Sequence, residues 1–129
     1  MNDQIWWITG ASSGIGAALA RALAARGAKL ILSGRNVGAL EAVAADCDTA
    51  TLVLPFEATD YDALPAITDQ AWRWHGRIDG LVNNAGISQR SLAIDTDFAV
   101  YQQIVAVDLL APIALTQQLL PRMVGAGGG

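Results

Sequence analysis

The stretch Trp7-Ile8-Thr9-Gly10-Ala11-Ser12-Ser13-Gly14-Ile15-Gly16 runs from apolar residues through a turn with three glycines and two serines into an alanine-rich segment. The approach, Ile5 to Thr9, has the length and composition of a buried strand, and the segment from about Gly14 to Arg26 has helical period until Gly27 stops it. A strand-to-helix turn of this kind presents backbone N–H groups and the positive end of a helix dipole to whatever lies above it. Glycine suits it because a side chain would hold a phosphate group, or the helix itself, away from the strand. The spacing through Gly10, Gly14 and Gly16 is GxxxGxG, which differs from the commonly quoted GxGxxG.

The same alternation continues along the chain. Lys29 to Ser33 reads as a second strand, with a helix over Val37 to Asp46. Ala50 to Pro55 is a third, and Thr59 or Asp60 then caps a helix reaching about His75. Ile78 to Asn83 is the fourth, and after a polar loop Thr96 or Asp97 caps a long helix towards Met123. Near-continuous apolar strands separated by helices require a parallel sheet covered on both faces, and right-handed crossovers make the α/β architecture doubly wound. One domain accommodates residues 1–129, with a low-complexity tail, Gly125 to Gly129, expected to be flexible.

Composition narrows the partners. The formal net charge is −4, and the seven arginines and one lysine are scattered, so no basic patch awaits a nucleic-acid backbone. Cys47 is alone, which excludes an internal disulfide and points to a reducing, cytoplasmic setting. The opening Met-Asn-Asp-Gln has no positive charge and does not read as a signal peptide. The apolar stretch Ile104 to Leu115 contains Asp108 and Pro112 and falls short of the roughly 20 residues of a membrane span, so no membrane association is expected. His75 is the only histidine, which leaves no set of ligands for a catalytic zinc; no metal site is expected.

Thr9 to Gly16, TGASSGIG, resembles the cofactor turn of the short-chain dehydrogenases/reductases, and Asn83-Asn84-Ala85-Gly86 resembles that family's NNAG motif at the end of the fourth strand. The likeness extends from Ile5 to about Met123 and implies a Rossmann-type sheet with its first four strands in the order 3-2-1-4. It implies that Gly10, Ser12, Ser13 and Ile15, with Gly14 and Gly16 shaping the turn, line a pyrophosphate and ribose. Asn84, Ala85 and Gly86 would lie along the adenosine ribose, and Ser33, Ala58 and Val107 complete the expected cofactor contacts. Where many members carry an aspartate near the adenine amino group this chain has Glu57, the same charge on a longer stem.

Cofactor choice follows from charge. A nicotinamide dinucleotide lacking the 2′-phosphate is usually met by a carboxylate about 20 residues beyond the glycine turn. Here the second strand ends Ser33-Gly34-Arg35-Asn36, with no carboxylate, and Arg35 can meet a 2′-phosphate through charge-assisted contacts. NADP(H) is therefore expected over NAD(H).

The catalytic residues are a different matter. The family's reaction interconverts an alcohol and a carbonyl, with a serine, a tyrosine and a lysine in a YxxxK pattern handling the proton. Tyr61 and Tyr101 are followed four residues later by Pro65 and Val105, the one lysine is Lys29, and no serine follows Ser91. Of the usual four active-site positions only that of a helical asparagine has a counterpart, and it holds Asp108, which accepts hydrogen bonds but when ionised donates none. An acid buried among these apolar neighbours would have a raised pKa. The chain thus reads as the cofactor-binding part of an oxidoreductase, incomplete at its C-terminus and inactive by itself. A non-catalytic half-domain that binds a nucleotide or a partner, and an unrelated parallel α/β protein such as a methyltransferase-like domain, remain the alternatives. The loop Ile87 to Ser91 resembles that of members acting on steroid- or retinoid-like alcohols and carbonyls, and homo-oligomers built through the helix of Asp108 are common in the family. With four strands alone the fourth is an unpaired apolar edge, so the 129-residue chain is not expected to be a well-behaved monomer.

Overall fold

A computed structural model describes residues 3–84 and 97–126. Four strands, β1 (Ile5–Ile8), β2 (Lys29–Leu32), β3 (Thr51–Val53) and β4 (Gly80–Val82), form one parallel sheet in the order β3-β2-β1-β4. The helices α1 (Gly14–Ala25), α2 (Val37–Ala45), α3 (Leu64–Arg73), α4 (Phe98–Val105) and α5 (Ala111–Gly125) surround it.

Strand alternation divides the core between the two faces. Ile8, Leu30 and Leu32 point towards α1 and α2, where they meet Ala17, Ala20, Leu23, Leu40 and Val43. Ile5, Trp7 and Ile31 point the other way, against Leu64 and Ala71 of α3 and Leu115, Leu119 and Met123 of α5. Successive side chains of a strand face opposite sides, so a run that is apolar throughout buries both. This is the doubly wound arrangement.

Local chemistry sets the helix ends. α1 stops at Gly27, whose φ of 87° suits glycine, and Gly27 N–H and Ala28 N–H donate to the carbonyls of Ala24 and Leu23. α2 starts at Asn36, whose side chain accepts from Ala39 N–H at 3.0 Å.

Several boundaries differ from the sequence expectation. β3 and β4 are each three residues, shorter than the apolar runs that contain them. The helix expected from Thr59 or Asp60 begins instead as one 3-10 turn, Tyr61–Ala63, and becomes α-helical only at Leu64. Asp60 precedes that turn but its side chain makes no cap bond, and the Thr59 hydroxyl donates to Glu57 instead. α3 ends at Arg73, short of His75, and Gly76 turns the chain with a φ of 73°. Asp97 precedes α4 without a capping bond from its side chain, whereas Thr96 lies outside the described residues.

The long last helix is interrupted by a π segment, Ala106–Leu110. Pro112 explains the break, since it has no N–H for the carbonyl of Asp108 and its ring crowds that carbonyl. The wider turn absorbs the mismatch. Tyr61 Oη donates to the carbonyl of Ala106 at 3.3 Å, tying this segment to the 3-10 turn. Helical structure includes Gly125, the first residue of the tail expected to be flexible; residues 127–129 lie outside the described range.

Taken together, Phe98–Gly125 forms 28 helical residues, long and apolar enough by length and composition to cross a bilayer. The apolar stretch Ile104 to Leu115, too short by itself to span, is thus part of a longer apolar helix, and that helix has the length expected from Thr96 or Asp97 towards Met123. Leu115, Leu119 and Met123 are nevertheless buried in the core, and Arg122 Nη1 lies 3.3 Å from Asp69 of α3. The opposite side leaves Leu109, Leu110, Ile113, Leu120 and Val124 exposed, and β4 lies at the sheet edge.

One ion pair secures the start of the sheet. Asp79 Oδ2 accepts from Ile5 N–H at 2.8 Å, while Arg77 grips the same carboxylate with Nη2 2.7 Å from Oδ1. Burial works against ionisation of Asp79, but the bonds from Arg77 and Ile5 and the charge of Arg77 outweigh it and hold the pKa below its ordinary value. Asp79→Ala should destabilise the fold by about 1–3 kcal/mol at neutral pH, because it leaves the Ile5 N–H without its acceptor. A carboxyl with a lowered folded-state pKa contributes its stability above the unfolded value, near 3.8 here, and loses it as pH falls through the lower folded value. Urea denaturation at pH 7 and below pH 3 should therefore show a gap between the two proteins that narrows in acid. A constant gap would mean that ionisation of Asp79 plays no part.

Candidate cofactor-binding site

The site lies at the C-terminal ends of the strands, where the chain passes from β1 to α1. Gly10 has a φ of 61° and Gly14 a φ of 59°, conformations that favour glycine. A Cβ at Gly14 would meet nothing within 4 Å, so the space beside it is open. Ser13 is extended and its hydroxyl does not cap α1, and no acidic residue occupies the first turn. The positive end of α1 thus has neither a side-chain cap bond nor an acidic side chain against it.

Hydrogen bonds stitch the two sequence motifs together. Thr9 N–H donates to the carbonyl of Val82 at 3.0 Å. Asn84 N–H donates to Thr9 Oγ1 at 2.9 Å, and Asn84 Nδ2 to the carbonyl of Gly10 at 3.1 Å. Gly16 makes the close packing possible, because a Cβ there would overlap the Gly10 carbonyl and stand 2.6 Å from Asn84 Nδ2. Asn83 reaches the other way, donating through Nδ2 to Thr116 Oγ1 of α5 at 3.2 Å.

A cleft of about 420 Å³ opens above this framework, within the range of small-molecule sites. Of the residues singled out from sequence, Gly10, Ser12, Ser13, Ser33, Arg35, Glu57, Ala58, Asn84 and Val107 line it. Gly14 and Gly16 shape the turn without lining the cleft, and Ile15 is exposed at the start of α1. Ala85 and Gly86 lie outside the described residues, as does the loop Ile87 to Ser91. Asp108 is exposed on the π segment and does not line the cleft, so burial among its apolar neighbours is not observed.

Other lining residues escaped the sequence reading. Gly34, Asn36 and Phe56 flank residues already identified, and Asn36 was legible as a cap directly before α2. Gln103 arrives from α4 and carries no local signal of its role. Phe56 packs edge-on against Trp7, with ring centroids 6.4 Å apart, and Trp7 Nε1 donates to Ser33 Oγ at 2.8 Å. The cleft wall is therefore anchored directly to the core.

Arg35 and Glu57 supply the charge. Arg35 Nη1 stands 3.3 Å from Glu57 Oε2. Partial burial of Glu57 opposes ionisation, but bonds from the Thr59 backbone and hydroxyl and from Arg35 prevail and hold its pKa below the ordinary value.

The strand order, the glycine turn at the end of β1 and the Asn84 crosslink define a Rossmann-type nucleotide-binding fold of the short-chain oxidoreductase kind. The family model described as short chain dehydrogenase matches residues 4–129, and the chain belongs to that family. It is 42% identical over 131 residues to human dehydrogenase/reductase SDR family member 7, covering 96% of this chain and 39% of that protein. Levodione reductase superposes with a TM-score of 0.94 at 31% identity, covering all of this chain and 52% of the reductase. A metagenomic short-chain oxidoreductase in complex with NADP gives a TM-score of 0.88 at 35% identity, covering all of this chain and 60% of that one. The chain thus spans between 39% and 60% of the length of these three proteins.

Proposed function

We propose that these residues form the cofactor-binding part of an NADP(H)-dependent oxidoreductase that interconverts an alcohol and a carbonyl. The observation that carries the cofactor choice is Arg35, which lines the cleft just beyond β2 where that strand's end offers no carboxylate. The open space beside Gly14 and the absence of an acid in the first turn of α1 fit a pyrophosphate at that helix end. Gly10, Ser12, Ser13 and Ile15 would hold it, Arg35 the 2′-phosphate, and Asn84 with Ala85 and Gly86 the adenosine ribose. When bound, the nicotinamide supplies or accepts the hydride.

The serine, tyrosine and lysine that move the proton in the family have no counterpart here, so the 129 residues by themselves bind without turning over. Asp108 can accept hydrogen bonds where the family has asparagine. A reducing compartment suits Cys47, a buried free thiol whose pKa burial pushes up. Assembly into a homo-oligomer through the helix of Asp108, with no membrane or nucleic-acid partner, completes the reading.

The test is cofactor affinity. Arg35→Ala should raise the Kd for NADPH about 10- to 100-fold, corresponding to a charge-assisted contact of about 1.5–3 kcal/mol, and change the Kd for NADH less than about twofold. Equal losses for both cofactors would remove Arg35 as the selector.

A further inference from the structure

Arg35 does not stand alone in the cleft. β2 and β3 are paired in parallel with Leu32 opposite Val53, so the segments that follow them run side by side. Phe56 N–H donates to the carbonyl of Gly34 at 3.1 Å and keeps those segments together. Arg35 and Glu57 emerge from this junction facing each other, with Nη1 3.3 Å from Oε2. They are the only charged residues among the described residues lining the cleft, so its side-chain charge sums to zero.

The carboxylate is also held from behind. Glu57 Oε1 accepts from Thr59 Oγ1 at 3.0 Å and from Thr59 N–H at 3.4 Å. One oxygen is thus committed to its own loop and the other is directed at Arg35. The pair remains within reach of a ligand, since the Arg35 side chain is 71% exposed and that of Glu57 40%.

We propose that Glu57 is a specificity-determining residue that competes with a ribose 2′-phosphate for Arg35. The inference rests on the reading of Arg35 as the phosphate-binding group. An anion approaching Arg35 must share its donors with a carboxylate and lie close to a like charge. An exposed ion pair is weak enough to be displaced by a phosphate, whose contact to arginine is stronger and bidentate. Glu57 therefore leaves the phosphate site usable and lowers the discrimination that Arg35 alone would give. Its effect falls on the 2′ position, separately from any contact it makes with the base.

Adenosine 2′,5′-bisphosphate and adenosine 5′-monophosphate isolate that position, because both carry the base and the 5′-phosphate and neither supports turnover. Their Kd values should be measured calorimetrically on the protein expressed from its complete reading frame, as wild type, Glu57→Gln, Arg35→Ala and the double variant. Glutamine keeps the length of the stem and an acceptor for Thr59, Arg35 is exposed and Glu57 is only partly buried at the cleft surface, so the fold is not at stake. Glu57→Gln should raise selectivity for the bisphosphate about three- to tenfold, and the same change in the Arg35→Ala background should move it less than about twofold. Unchanged or reduced selectivity in Glu57→Gln, with Arg35→Ala still abolishing it, would overturn the role of Glu57 and leave that of Arg35 intact. An equal gain in both backgrounds would show that Glu57 does not act through Arg35. Selectivity unaffected by Arg35→Ala would remove both readings together.

Discussion

Gly16→Ala should lose both stability and cofactor affinity. The added methyl would overlap the Gly10 carbonyl oxygen and lie 2.6 Å from Asn84 Nδ2, the two atoms whose hydrogen bond joins the β1 turn to the end of β4. Overpacking against side chains costs about 1–3 kcal/mol, and here the obstacle is backbone that cannot rotate away. The expected cost is at the upper end of that range, about 3 kcal/mol, with NADPH affinity lowered more than about tenfold as the turn opens. Gly14→Ala is the informative control. Its Cβ meets nothing within 4 Å, and only the φ of 59° opposes the change, at about 1–2 kcal/mol. Urea denaturation and NADPH titration of both variants separate the two effects. A Gly16→Ala protein no worse than Gly14→Ala would mean that the close approach is relieved by a small shift of α1.

Trp7→Ala should produce the largest loss of stability. Trp7 is fully buried, packs against Phe56 and carries the hydrogen bond to Ser33 in the wall of the cleft. Truncation of a buried tryptophan costs about 3–5 kcal/mol, a large part of the 5–15 kcal/mol that holds a typical domain together. Ser33→Ala dissects the polar contribution. It leaves the buried indole N–H of Trp7 without its acceptor, at an expected cost of about 1–3 kcal/mol. Circular dichroism during denaturation reads both variants. A loss below about 1 kcal/mol for Trp7→Ala would place the main support of this face on α3 and α5 instead.

These predictions draw on different depths of information. Four strands of near-continuous hydrophobicity, each followed by a segment of helical period, were enough to establish a parallel sheet with helices on both sides. The glycine turn and Asn84 were legible because backbone geometry demands glycine at Gly10 and Gly14 and because both motifs fall at strand ends. The long last helix was misread in its detail, since the effect of Pro112 on hydrogen-bond register depends on which carbonyl it fails to serve. Its length was legible, because the helix expected from Thr96 or Asp97 towards Met123 already passes through Asp108 and Pro112; what was missed is that it stays apolar enough over that length to cross a bilayer.

The sequence by itself determined the fold class, the glycine turn at the end of β1 and the presence of an arginine beyond β2, because those properties depend on residue type and short-range spacing. The tertiary structure decided what those residues face. Arg35 and Glu57 are 22 positions apart and meet only because β2 and β3 are parallel neighbours in fixed register. Gln103 enters the cleft from a helix at the far end of the chain, and Asp108 emerges exposed on a π segment. Contacts of this kind arise from the pairing and packing of distant segments, and no local pattern encodes them.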